Sequence, residues 1–261
     1  TNVDADHLDF WGNFESLKKG YEEFLATVKK KDFIFYAFGE DMGVVQKGTS
    51  YGINQGDIQA INLRIYEDGT IFDILEPSQN LIVKDVYIPL IGEHQVKNAL
   101  GVFGMAKALG LKPEFIKESF SLYQGVKRRC ERGRDLYNCK TFLDYGHHPR
   151  ELQATFEALI KQYNTSLTVI FEPHKFSRTK SFFPDFVEVL KIPHRVILLE
   201  TYPADEEYDY EGSSEKLGKA IGIRVTKKED LKSALEKLEE NGGVLLFIGA
   251  GNIDRIFAEC H

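Results

Sequence analysis

The chain has 261 residues, 43% hydrophobic and 28% charged, with a net charge of −7, which describes a globular protein of two ordinary domains and argues against nucleic acid as a partner. Its three cysteines form no CxxC pair, so neither a zinc module nor a disulfide framework is expected, and a reducing compartment suits it. No apolar stretch approaches bilayer-spanning length and the N-terminus "TNVDADHLDF" is acidic, so the expectation is a cytoplasmic protein with no membrane partner.

In chain order, "LKKGYEEFLATVK" places Leu17, Tyr21, Phe24, Leu25 and Val28 at helical spacing, and "DFIFYAF" reads as a strand. Residues 44–90 hold the alternating runs "QAINLRIYEDGTIFDIL" and "LIVKDVYIPL" with Asp68-Gly69 as a hairpin turn, the pattern of an antiparallel patch. Two helices follow, "HQVKNALGVFGMAKALG" and "KPEFIKESFSLYQG", bounded by prolines and glycines in their usual places. The basic stretch "VKRRCERGR" interrupts the pattern, and a domain boundary is expected near residue 128, giving domains 1–128 and 129–261. Beyond it strands "KTFLDY", "LTVIF", "RVILLE", "GIRVT" and "GVLLFIG" alternate with helices over 149–162, 180–190, 213–220 and 229–240 and a short final helix. That alternation predicts an α/β fold, a Rossmann-like parallel sheet covered on both faces, following a first domain of strands plus helices.

The strand ends of the second domain collect ionisable groups in "DYGHHP", "EPHKFSRT", "ETYPADEEYD" and "GAGNID". Carboxyl ends of parallel strands are where open α/β sheets bind ligands. His147 and His148 adjoin a helix that begins at Pro149; adjacent histidines without a third ligand at zinc spacing do not make a zinc site, and a plain helix-entry loop also fits them. His174, Lys175 and Arg178 before a helix suit an anion clamp, against a solvated basic loop. "GAGNID" lacks the third glycine of a dinucleotide fingerprint and reads better as a tight turn. In "ADHLDF" the aspartates suit a helix cap, whereas a hard-cation site would also account for His7; the residues alone leave the two even. The sequence holds no Walker A loop and no complete GxGxxG, so it supplies no phosphate cradle of its own.

Taken together and in order, "TNVDADHLD", "GEHQVKNALG", "GVKRR", "DYGHHPRE" and "EPHKFSRT", with "GAGNID" as weaker support, resemble the Mur ligase family, the ATP-dependent ligases that add amino acids to the muramic acid lactate in peptidoglycan synthesis. The pairing of DYxHHP with PHxxSR most resembles the branch that joins L-alanine to UDP-N-acetylmuramate. The resemblance implies the latter part of a central ATP-binding domain followed by the C-terminal Rossmann-like domain. A fragment of a longer ligase, inactive alone, is therefore expected.

The same resemblance implies roles. His7 would ligate magnesium, which tips the even contest towards metal. His94 and Asn98 would contact adenine, Arg129 would approach the nucleotide, and Asp144 would lie near the ribose. His148, His174 and Arg178 would face the alanine and the acyl phosphate as catalytic residues, with Lys175 and Tyr145 binding substrate and His147 only shaping the loop. ATP and magnesium are the implied cofactors; UDP-N-acetylmuramate and L-alanine are the implied partners. Gln95, Gly146, Lys175 and Phe176 depart from the family's usual asparagine, alanine, arginine and tyrosine, and lysine at 175 loses the planar bidentate grip. The rivals are the branch that recycles murein tripeptide and a non-catalytic nucleotide-binding or interaction module.

Overall fold

The computed structural model describes residues 8–30, 33–39, 48–237 and 243–260. The chain divides into two compact units, Thr1–Gln124 and Gly125–His261. No helix among the described residues is long and apolar enough to cross a membrane.

The first unit opens with helices α1 (Leu8–Trp11) and α2 (Phe14–Ala26). The second starts three residues before the apolar spacing suggested, because Asn13 caps it, its Oδ1 accepting the Ser16 amide at 2.8 Å. Strands β1 (Phe35–Ala37), β2 (Thr49–Ile53), β3 (Ile58–Tyr66), β4 (Gly69–Glu76) and β5 (Leu81–Ile88) form one sheet in that order. β3, β4 and β5 are antiparallel, as the Asp68-Gly69 turn requires, but β1 pairs parallel with β2 and β2 with β3. The expected antiparallel patch is thus a mixed sheet: Asn54 and Gly56, both at positive φ, carry the chain between parallel strands where a hairpin would reverse it. Helices α3 (Glu93–Ala108) and α4 (Pro113–Leu122) complete the unit. α3 approaches the sheet closely at Gly104, where a Cβ would lie 2.6 Å from the Phe35 ring, and Phe72, Ile74, Leu100 and Phe103 fill the core.

The second unit runs β6 (Glu131–Arg132), β7 (Lys140–Asp144), α5 (Pro149–Tyr163), β8 (Leu167–Phe171), α6 (Phe176–Ser181), α7 (Phe183–Val189), β9 (Arg195–Leu199), α8 (Ser214–Ile221), β10 (Val225–Thr226), α9 (Lys228–Glu236), β11 (Val244–Ile248) and α10 (Ile253–Glu259). Its sheet order is β10-β9-β8-β11-β7-β6, parallel except for the β6 edge. Every residue of β8 and β11 is buried, which explains their unbroken apolar runs. Two expectations need correction. The basic stretch is more than an interruption: it supplies the edge strand β6, and its residues Arg128 and Cys130 bond to Tyr145 and Asp144, within a unit that begins at Gly125. The single helix expected over 180–190 is two short ones broken at Phe182, because Pro184 occupies the first turn of α7 and has no amide hydrogen to continue α6.

The order places β11 between β7 and β8, with Ile248 in register with both Asp144 and Phe171. The loops 145–148, 172–175 and 249–252 therefore emerge side by side.

Candidate functional site

Pro149 occupies the first turn of α5, which makes His148 its N-cap. The His148 Nδ1 accepts the Arg150 amide at 3.4 Å, and Glu151 answers by accepting the His147 and His148 amides at 3.0 and 3.2 Å. The His148 ring packs edge-on against Phe182 at 4.5 Å and is 6% exposed. His148, expected to face the substrate, is thus buried as the cap of α5. Burial pushes Glu151 up, but the His147 and His148 amides with the His147 and Arg129 charges outweigh it and hold this carboxyl below its ordinary range.

His147, expected only to shape the loop, lies beside Tyr145 and His174. Its Nδ1 is 3.1 Å from the Tyr145 carbonyl oxygen. A carbonyl can only accept, so Nδ1 carries a proton, and whenever the ring is neutral Nε2 is its acceptor. Its ring stands edge-on to Tyr145 and 6.0 Å from the ring of His174, which in turn stacks on Tyr202. One row of rings thus crosses the loops after β7, β8 and β9.

His174 has the opposite tautomer. Arg178 Nη1 is 3.2 Å from His174 Nδ1 and also 3.2 Å from the His174 carbonyl oxygen. A guanidinium only donates, so Nδ1 accepts and Nε2 carries the proton. Burial first, then the charges of Arg178, His147 and Lys175, lower His174 to about 4. A neutral imidazole beside a permanent cation results.

Lys175 sits at φ 72, a strained conformation for a residue with a side chain. Its amide donates to the Tyr202 oxygen at 2.9 Å, which holds it there. Phe176 is buried and packs edge-on against Tyr208 at 5.4 Å. Glu206 accepts the Ser177 amide at 3.0 Å and the Ser177 hydroxyl, closing the start of α6.

Asp144 is 4% exposed, and its two carboxylate oxygens accept the amides of Gly146 at 2.6 Å and Cys130 at 2.7 Å. Burial nevertheless raises it above the ordinary carboxylate range. This side chain, expected near the ribose, fixes the loop from within. Arg129 is 46% exposed, 3.3 Å from Glu151 and 5.6 Å over the Tyr145 ring. The neighbouring Arg128 bonds the oxygens of Gly249 and Gly251 at 3.0 and 3.2 Å. Glu172, 1% exposed, accepts the Asn252 amide at 2.7 Å and faces Lys228 at 3.5 Å. "GAGNID" is thus a tight turn latched from two sides. Arg128 and Tyr202 were given no role by the sequence, Arg128 being only one basic residue of the interrupting stretch, and Glu172 only a place among the ionisable groups at the strand ends.

In the first unit His94 and Asn98 lie one turn apart at the start of α3, and Asn98 Nδ2 is 3.4 Å from Gln95 Oε1. The three supply an imidazole face and amide donors and acceptors. His7 lies outside the described residues. Among the described residues, no group of three or more His, Cys, Asp or Glu could hold a metal ion.

Chemically, the second unit brings Tyr145, His147, His174, Lys175 and Arg178 to adjoining strand ends. A guanidinium there can hold a carboxylate, one neutral imidazole can take a proton and another can donate one. Known proteins match this chain in both halves. The model of the Mur ligase middle domain matches residues 1–106, and that of the Mur ligase glutamate ligase domain matches residues 128–251. The chain is 35% identical over 269 residues to UDP-N-acetylmuramate–L-alanine ligase of Aquifex aeolicus, covering 98% of this chain and 58% of that one. A second relative of the same name, from Rhizobium meliloti, is 32% identical over 277 residues, with 97% and 58% covered. The solved UDP-N-acetylmuramate-alanine ligase of Thermotoga maritima superposes with a TM-score of 0.76 at 19% identity, covering 99% of this chain and 57% of that one. The chain thus spans 58% of the length of these curated relatives. Two consecutive domain models of one family, matched in order and supported by these relatives, make the conclusion direct: the chain belongs to the Mur ligase family.

Proposed function

We propose that this chain supplies the adenine-contacting and amino-acid-binding parts of an ATP-dependent ligase that joins L-alanine to the carboxylate of UDP-N-acetylmuramate. The observation that carries the reading is the trio of His147, His174 and Arg178. Two imidazoles of opposite tautomer stand 6.0 Å apart, one of them bonded to a guanidinium.

In this reaction the sugar carboxylate takes the terminal phosphoryl group of ATP, leaving ADP and an acyl phosphate. The alanine nitrogen then attacks the acyl carbon; the C–N bond forms, the C–O bond to phosphate breaks, and inorganic phosphate leaves. Alanine arrives as a zwitterion, so its carboxylate needs a cation and its ammonium must lose a proton. Arg178, with Lys175 beside it, meets the first need. The Nε2 of His147 meets the second, and Nε2–H of His174 donates to the oxygen that gains charge in the tetrahedral intermediate. Tyr145 orients His147 through its carbonyl. His148 takes no direct part and holds the loop as the cap of α5.

His94 and Asn98 provide the surface for an adenine edge, and Arg129 is the cation offered to the nucleotide. Magnesium, when bound, offsets the phosphate charge; His7 is its proposed ligand. An ATP-consuming, UDP-sugar-dependent step belongs in the cytoplasm.

The test is a chimera in which this chain replaces the matched region of the Aquifex aeolicus relative. Phosphate release from ATP and magnesium with UDP-N-acetylmuramate should require L-alanine. Release with murein tripeptide but not with L-alanine would assign the recycling branch, and no release with either would leave a non-catalytic module.

A further inference from the structure

Tyr202 follows β9 and belongs to none of the family motifs, yet its ring lies face to face with His174, centroids 5.4 Å and planes 13° apart. The backbone fixes this placement. The Tyr202 amide donates to the Pro173 oxygen at 2.7 Å and the Lys175 amide to the Tyr202 oxygen at 2.9 Å, an isolated parallel bridge between His174 and Tyr202. The turn after β11 closes in as well: a Cβ on Gly251 would lie 2.6 Å from Tyr202 Cγ. Tyr202 is therefore held against both the His174 imidazole and the Gly251 backbone.

A single hydrogen bond at His174 Nδ1 fixes one point of the ring and leaves the ring free to tilt about it. A parallel aromatic face removes that freedom, because offset stacking holds planes together. The direction of Nε2–H depends on both restraints. We infer that Tyr202 is a positioning residue of the amino-acid site, its ring setting the plane of the His174 imidazole and so the direction in which Nε2–H is presented. The inference rests on the ligase reading for what is bound, but the ring geometry it invokes exists without substrate. It assigns the hydroxyl no part, so phenylalanine serves as well as tyrosine.

The test is two-bond proton–nitrogen NMR of the histidine rings in this chain at pH 7, for the wild type, Tyr202→Phe and Tyr202→Leu, with His174→Gln identifying the His174 signals. The wild type and Tyr202→Phe should show His174 as one Nε2–H tautomer with ring protons shifted upfield by the stacked ring. Tyr202→Leu should lose that shift and move the two nitrogens towards tautomer averaging. An unchanged His174 pattern in a folded Tyr202→Leu overturns the inference. So do unshifted His174 ring protons in the wild type, a result that needs no variant to fold. L-alanine added to the same samples keeps the two claims apart. Movement of the His174 signals supports the amino-acid reading and none contradicts it, while the ring-proton shifts and tautomer pattern without L-alanine decide the role of Tyr202.

Discussion

His147 and His174 face each other at 6.0 Å across the end of β11, and their hydrogen bonds give them opposite tautomers. The Tyr145 carbonyl holds the proton on Nδ1 of one, and Arg178 excludes it from Nδ1 of the other. The neutral form of His147 is thereby an acceptor at Nε2, and neutral His174 is a donor at Nε2. Attack by an amine on an acyl phosphate uses such a pair.

The two adjacent histidines should separate by assay. His148→Ala removes a cap and a buried ring contact and should lower stability to urea by about 1–3 kcal/mol. His147→Ala should stay within about 1 kcal/mol of the wild type, since its ring carries no cap. Equal losses for both would contradict the division of roles.

Acid should destabilise the chain through His174. Unfolded, the ring titrates near 6.5; folded, it takes a proton only at about 4, because burial and the neighbouring Arg178, His147 and Lys175 oppose the charge and Glu206 only partly offsets them. Between those values the unfolded chain binds the extra proton, so stability falls as pH falls. In urea titrations from pH 7 to 4, His174→Gln should flatten that fall. A slope equal to the wild type's would remove the ring from the account.

The strain at Lys175 should be measurable. With φ at 72, Lys175→Gly should gain about 1 kcal/mol, whereas Lys175→Ala, which keeps a Cβ, should gain nothing. Thermal unfolding of the two variants compares them directly. In the chimera both should raise the KM for L-alanine through the lost cation.

Gly251 tests the latch after β11. A Cβ there would meet the Glu172 carboxylate and lie 2.6 Å from Tyr202, so Gly251→Ala should cost about 1–3 kcal/mol. Gly222→Ala has open space around it and should cost only the strain of its left-handed backbone, about 1 kcal/mol.

The second unit's sheet was readable because its central strands β8 and β11 are buried throughout and α5 and α8 begin at Pro149 and behind the capping Ser213. The loops that form the site were readable as strand ends. The cap itself was legible, since Pro149 at the first turn makes the preceding His148 the N-cap of α5, but the sequence placed His148 on the substrate side and left His147 to shape the loop. The roles of Tyr202 and Glu172 depend on strand order, which puts β11 between β7 and β8, and no local pattern encodes that. The parallel pairing of β2 was hidden for the same reason, since only Asn54 and Gly56 mark it.

The most direct test of the ligase account is the KM of the chimera for L-alanine, with His147→Gln and His148→Gln made separately. His147→Gln is expected to raise that KM or lower kcat by about tenfold or more, the loss of one hydrogen bond to a charged group, while the KM for ATP stays unchanged and His148→Gln changes neither. Unaltered alanine kinetics in His147→Gln, or the larger loss in a folded His148→Gln, would contradict the account.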